Sequence, residues 1–97
     1  LPPSVSTPEI ILAADAKIRR RLMRSLAANA NFPGARITTL DGMRIDYSDG
    51  WGLVRSSSSE EALTFRFEGN DETSLARVQG VIRKAILEYV PDLALPF

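Results

Sequence analysis

Neither cysteine nor histidine occurs in this sequence of 97 residues. Without cysteine there is no disulfide and no thiolate metal site. Without histidine the chain lacks the commonest metal ligand and the commonest general base near neutral pH. An excess of one charge is missing too, because twelve basic residues balance twelve acidic ones. A neutral chain exerts no overall pull on nucleic acid or on a membrane surface. No apolar run approaches the roughly 18 residues of a membrane span, and no secretory leader is visible. The expectation is a cytoplasmic protein with no nucleic-acid and no membrane partner.

What is present is ordinary for a globular domain: 44% hydrophobic and 25% charged residues. The length suits one domain. A domain of this size buries roughly two-thirds of its unfolded-chain surface, so one core forms without staples. The chain begins "LPPSVSTPEI", with three prolines in eight residues and no initiator methionine. Proline fixes φ and pushes its predecessor toward extended structure. Residues 1–8 therefore read as an interdomain linker, 9–97 as the domain, and the chain as a piece of something longer.

The short β-branched run "EIILA" (9–13) is consistent with a strand. Asp15 can cap the helix that follows, in which Ile18, Leu22, Leu26 and Ala30 form one apolar stripe. Pro33 and Gly34 stop it. "RITTL" (36–40) and "MRIDY" (43–47) flank Asp41-Gly42, a strong hairpin signal. In the second of these, Met43, Ile45 and Tyr47 share a side. "WGLVRS" (51–56) and "ALTFRFE" (62–68) follow, the latter with Leu63, Phe65 and Phe67 inward. Asn70 or Asp71 can cap a last helix, with Leu75, Val78, Ile82, Ala85, Ile86 and Tyr89 on one face and Pro91 at its end. Gly80 sits inside that helix at a cost of about 1 kcal/mol against alanine, which points to close packing there. The order β-α-β-β-β-β-α predicts an α+β fold: a four- to five-stranded, mainly antiparallel sheet with two helices on one face.

The segment "RSSSSEE" (55–61) carries the chemistry. A loop between strands can aim N–H groups and hydroxyls into one concavity. Arginine adds a planar fork that grips two phosphate oxygens at once. Arg55 with Ser57, Ser58 and Ser59 is thus a candidate phosphate clasp. The competing reading is a flexible polar turn, since serine is common in turns for local reasons. Glu60 and Glu61 favour that second reading, because carboxylates repel phosphate.

"GWGLVRSSSSEEALTFRFEG" resembles the C-terminal, fourth domain of the α-D-phosphohexomutases, most closely the bacterial phosphomannomutase/phosphoglucomutase group. That family carries R-x-S-[NG]-T-x-P here, then an apolar strand ending in R-F-E. Arg55, Ser57 and Glu60 fit the pattern. Ser58 stands where the family has Asn or Gly, and Ser59 where it has Thr. Glu61 replaces the proline, so the loop loses a fixed φ and gains a charge. "STPEI" (6–10), "ITTLDGMRIDYSDGWGLVR" (37–55) and the terminal "LPF" extend the likeness over nearly the whole chain.

The resemblance implies a monomeric, four-domain cytoplasmic enzyme that interconverts the 1- and 6-phosphates of glucose or mannose. In that family a phosphoserine in the first domain donates the phosphoryl group. An aspartate loop in the second holds Mg²⁺, and a third-domain loop reads the sugar. A glucose 1,6-bisphosphate-type activator is implied for the full enzyme. The fourth domain closes the cleft, and its Arg-Ser loop binds the phosphate not being transferred. No phosphoserine, metal or sugar motif occurs here, so this segment is expected to hold no cofactor and no catalytic residue, and to be inactive alone. Arg55, Ser57, Ser58 and Ser59 are assigned to the substrate phosphate, and the other three domains are the expected partners.

Other features have competing readings. Lys17, Arg20, Arg21 and Arg24 form a basic helix side that could meet nucleic acid or an acidic protein, in which case the chain would be a free-standing interaction module. No aromatic residue interleaves for base stacking, so a solvated helix face is the better account. Asp41, Asp46 and Asp49 lie close in sequence, but Asp41 reads as a turn residue and Asp46 as an outward strand residue, against a cation site. Trp51 could stack on a sugar; its strand position favours partial burial in the core.

Overall fold

Strands that alternate apolar and polar side chains must cover one face, and two amphipathic helices do so here. The computed structural model describes residues 3–29 and 31–97. Leu1 and Pro2 of the expected linker, and Ala30 of the expected stripe, lie outside the described residues. Among these, the chain forms β1 (Val5–Ser6), β2 (Ile10–Ala13), α1 (Ala16–Asn29), β3 (Arg36–Thr38), β4 (Met43–Tyr47), β5 (Gly50–Ser56), β6 (Ala62–Gly69) and α2 (Glu72–Tyr89). The sheet runs β1-β6-β5-β4-β3, and β2 pairs with the other end of β6. All pairings are antiparallel. This is the predicted α+β architecture with one added strand. Val5 and Ser6 pair with Gly69 and Glu68, and the Thr7 N–H donates to the Phe67 carbonyl at 2.9 Å. Two residues between prolines carry no readable period, which is why the sequence reads there as connector.

The core lies between the sheet and the helices. Leu22 and Leu26 of α1 and Leu75, Val78, Ile82 and Ile86 of α2 meet Met43, Ile45, Val54, Leu63, Phe65 and Phe67. Ile18, Ala85 and Tyr89 pack at its margin. Asp15 Oδ1 accepts from the Ile18 N–H at 2.9 Å, and Asp71 Oδ1 accepts from the Ser74 N–H at 2.8 Å. Both helix starts are thus capped as the sequence predicts.

Three local expectations change. Trp51 does not join the core. Gly50, Gly52 and Val54 take the positions facing the helices; a Cβ on Gly52 would run into Ile82 and Phe67. Trp51, one residue out of phase, lies on the opposite face, where the Arg44 guanidinium carbon sits 4.3 Å from its ring centroid. The Asp41-Gly42 turn is wider than a two-residue hairpin, since Thr38 pairs with Arg44. Gly42 has φ +80°, and a Cβ there would stand 2.5 Å from the Val54 carbonyl oxygen. The turn is therefore folded back against β5. Gly80, finally, is exposed, with nothing within 4 Å of where a Cβ would stand. Close packing does not explain it.

The β4–β5 turn is tied to α2 by charge. Arg77 pairs with Asp49 and lies 4.7 Å from the Tyr47 ring centroid. Hydrogen bonding from Arg77, then from Ser74, holds the Asp49 carboxyl below the usual carboxylate range. The Ser74 backbone N–H does the same for Asp71. Burial pushes the Tyr47 phenol up, with Arg77 opposing.

Two outcomes are expected. Gly80→Ala stabilises the fold by about 0.5–1 kcal/mol, because alanine gains helix propensity without a clash; a lower urea midpoint would show a hidden contact. The charged forms of Asp49 and Asp71 are favoured by folding, so their contribution is present above the unfolded aspartate pKa of about 3.9 and is lost as pH falls through the lower folded values. Asp71→Asn keeps the cap but not the titration. Its melting temperature is expected to match the parent at pH 7 and to fall less steeply in acid.

Candidate functional site

The loop between β5 and β6, residues 57–61, is organised by its own first serine. The Ser57 N–H donates to the Ala62 carbonyl at 2.9 Å and closes the loop's neck. The Ser57 hydroxyl oxygen accepts from the backbone N–H groups of Ser59 at 3.4 Å and Glu60 at 3.2 Å. Serine is suited to this, since its short side chain can reach backbone two or three residues on. These two N–H groups are therefore turned toward Ser57, while its O–H is free to donate outward. Ser58 and Ser59 are exposed at the tip.

Arg55 comes from the strand, not the loop. It pairs with Thr64 across β6, and Thr64 pairs in turn with Ile11 of β2. All three lie on the face away from the helices. Arg55 Nε stands 3.4 Å from Asp41 Oδ1. The contact is an ion pair without hydrogen-bond geometry, and Nε itself is buried and unpartnered. The side chain as a whole is 38% exposed. An orphaned buried donor on a cation that still reaches solvent is suited to an incoming oxyanion.

One concavity of about 150 Å³ is bordered by Arg55, Ser57, Ser58 and Ser59. Every residue predicted for the clasp thus faces the same space. Glu60, Glu9 and Thr64 also border it. Glu61 does not: its carbonyl accepts from the Ala14 N–H at 3.0 Å at the back of the loop. Of the two glutamates counted against anion binding, Glu60 borders the concavity and Glu61 does not. The wall can hold an oxyanion through the guanidinium and hydroxyls, with carboxylates beside it able to accept from hydroxyls and set to repel excess negative charge.

The remaining candidates diverge. Asp46 accepts from Arg44 Nε at 3.0 Å, Asp49 pairs with Arg77, and Asp41 faces Arg55. Each aspartate has its own arginine. Among the described residues no three His, Cys, Asp or Glu side chains converge to hold a metal. Lys17, Arg20, Arg21 and Arg24 are exposed on α1. No helix among the described residues is long and apolar enough to cross a membrane. Sequence reasoning missed Glu9 and Thr64, which reach the concavity through strand register, and Asp41 as a neighbour of Arg55. It also missed Arg19, half-buried in the same basic run as its solvated neighbours.

Helices on one face of an antiparallel sheet, with the other face and an end loop free, define a two-layer α+β domain. Residues 8–85 match the family described as phosphoglucomutase/phosphomannomutase, C-terminal domain. The chain belongs to that family. It is 40% identical over 96 residues to a phosphomannomutase/phosphoglucomutase of Pseudomonas syringae, covering 99% of this chain and 21% of that protein. It is 39% identical to a phosphoglucomutase of Neisseria meningitidis, again covering 99% of this chain and 21% of the relative. A solved phosphoglucomutase/phosphomannomutase family protein from Burkholderia thailandensis superposes with a TM-score of 0.86 at 41% identity, over 100% of this chain and 20% of that one. The chain thus spans about a fifth of the length of the curated relatives it matches.

Proposed function

We propose that this domain serves a phosphoglucomutase or phosphomannomutase by binding the phosphate that is not being transferred, and that it closes over the active site of the full enzyme. The observation that carries the reading is the convergence of Arg55, Ser57, Ser58 and Ser59 on one concavity in a chain of this family. Arg55 grips two phosphate oxygens with its fork. The serine hydroxyls donate to the others without adding charge. Such a clasp recognises phosphate and not the sugar ring, so it can hold either end of a hexose bisphosphate as that intermediate reorients. Phosphoryl transfer depends mostly on positioning and electrostatics, which is what a closing domain supplies. The phosphoserine, the Mg²⁺ loop and the sugar-reading loop would come from the other three domains, and this segment alone would be inactive. The enzyme would act in the cytoplasm as a monomer. The free-standing nucleic-acid or protein module is not favoured, since the basic side of α1 is separate from the concavity.

Titration of the chain with glucose 1-phosphate, followed by backbone amide NMR, is expected to shift resonances at 55–61 with millimolar affinity, since one phosphate contact yields little more than roughly 4 kcal/mol. Shifts confined to residues 17–24 and abolished by salt would instead favour the interaction module. In the full-length enzyme, Arg55→Ala is expected to lower kcat/KM about ten- to a hundredfold, the worth of one charged hydrogen-bonding group, with this domain still folded. Unchanged activity would remove Arg55 from the site.

Glu60→Gln provides a test of opposite sign. Removing one carboxylate from the rim is expected to tighten glucose 1-phosphate binding about two- to fourfold in low salt, the order of effect of one nearby like charge in water-like screening. Weaker binding would mean that Glu60 instead accepts from a ligand hydroxyl.

A further inference from the structure

Beneath the loop, on the helix side of the sheet, one side chain ties its base to α1. Ser56 is out of phase with Arg55 and so faces the helices. Arg19 Nε donates to Ser56 Oγ at 3.0 Å, and Arg19 Nη1 donates to the Ala14 carbonyl at 2.6 Å. The N–H of the same Ala14 donates to the Glu61 carbonyl at 3.0 Å. The chain of contacts Ser56–Arg19–Ala14–Glu61 thus clamps both ends of the 57–61 loop to the start of α1. Arg19 is half-buried, while its neighbours Arg20, Arg21 and Arg24 are exposed. It does not border the concavity, which lies on the other face of the sheet.

We propose that Arg19 is a positioning residue for the phosphate clasp. By fixing Ser56 and, through Ala14, Glu61, it holds the strand end that aims Arg55 to one side and the serines around it. The inference rests on the phosphate-binding reading above, and adds to it a residue that no phosphate touches. The geometry is suited to arginine: its fork spans a hydroxyl and a carbonyl on two different segments, which the single ammonium of lysine does not do with a fixed angle. The loop lacks the rigidity that proline would give at position 61, and this clamp supplies order from the back. Ordering the loop before binding removes an entropic cost from affinity.

The test uses the 97-residue chain with glucose 1-phosphate and inorganic phosphate as probes. Arg19→Ala is expected to weaken binding about three- to tenfold, and to speed hydrogen exchange at the Ser57 and Ala14 amides about tenfold, while amides in the middle of β5 and β6 stay protected. Arg20→Ala removes the same charge one residue away and is expected to change affinity less than about twofold. Ser56→Ala removes one arm of the clamp and should give part of the Arg19→Ala loss, and the double variant should be no worse than Arg19→Ala alone. If Arg19→Ala fails to fold, the Ser56→Ala result decides. Unchanged affinity in Arg19→Ala, or an equal loss in Arg20→Ala, overturns the positioning role while the parent still binds at 55–61. A parent chain that shows no response at 55–61 overturns both the phosphate reading and this inference.

Discussion

The register between β5 and β6 is the constraint on which the rest depends. Seven residue pairs, from Gly50 with Gly69 to Ser56 with Leu63, join the two strands. Strand side chains alternate, so a slip of one residue would exchange every inward and outward group. It would send Arg55 into the core and turn Val54 to solvent. The register is held by volume. Gly52 leaves room for Ile82 and Phe67, and Gly50 leaves room for Val78. Larger residues at either position would lift α2 from the sheet. From that single phase come the open-face position of Arg55, the helix-side position of Ser56 and the surface position of Trp51.

The electrostatics of the concavity are mixed, which suits the role proposed for it, a domain that closes over a phosphate and reopens. Arg55 is paired with an exposed partner at 3.4 Å and lacks a hydrogen bond at Nε. A weak, solvated ion pair contributes little and is easily exchanged for an oxyanion. Glu60 and Glu9 stand on the rim. Their repulsion limits the net attraction for phosphate by this domain alone. In the proposed role, tight capture would need positive groups outside this chain, which spans about a fifth of the relatives it matches. The clamp through Arg19 serves the same economy, because a loop with modest attraction has the most to gain from being ordered in advance.

Much of the fold was legible because long elements repeat their signal. Leu75, Val78, Ile82 and Ile86 mark a helix face across three turns of α2, and Leu63, Phe65 and Phe67 mark a strand face; all are buried as their spacing predicts. Short or singular features were not legible. Val5–Ser6 has no period. Gly80 looks like a packing glycine and is an exposed one. Trp51 reads as apolar volume for the core, yet the glycine beside it holds the inward position. The grouping of Arg55 with Ser57, Ser58 and Ser59 around one concavity was legible because the four residues stand in one short stretch. Arg19 was not found, because nothing in "KIRRRLMR" separates one arginine from the next.

By itself the sequence determined the two helices and their caps, the alternation of the main strands, the α+β class, and the grouping of a guanidinium with three hydroxyls. These are local properties, set by side-chain period and by residues within a few positions of one another. Only the tertiary structure decided which sheet face Arg55 and Trp51 occupy, which glutamate reaches the concavity, and which arginine of α1 supports the loop from behind. Those outcomes depend on strand register and on contacts such as Arg19 with Ser56, thirty-seven positions apart. No local pattern encodes them, because the partner is chosen by how the layers pack.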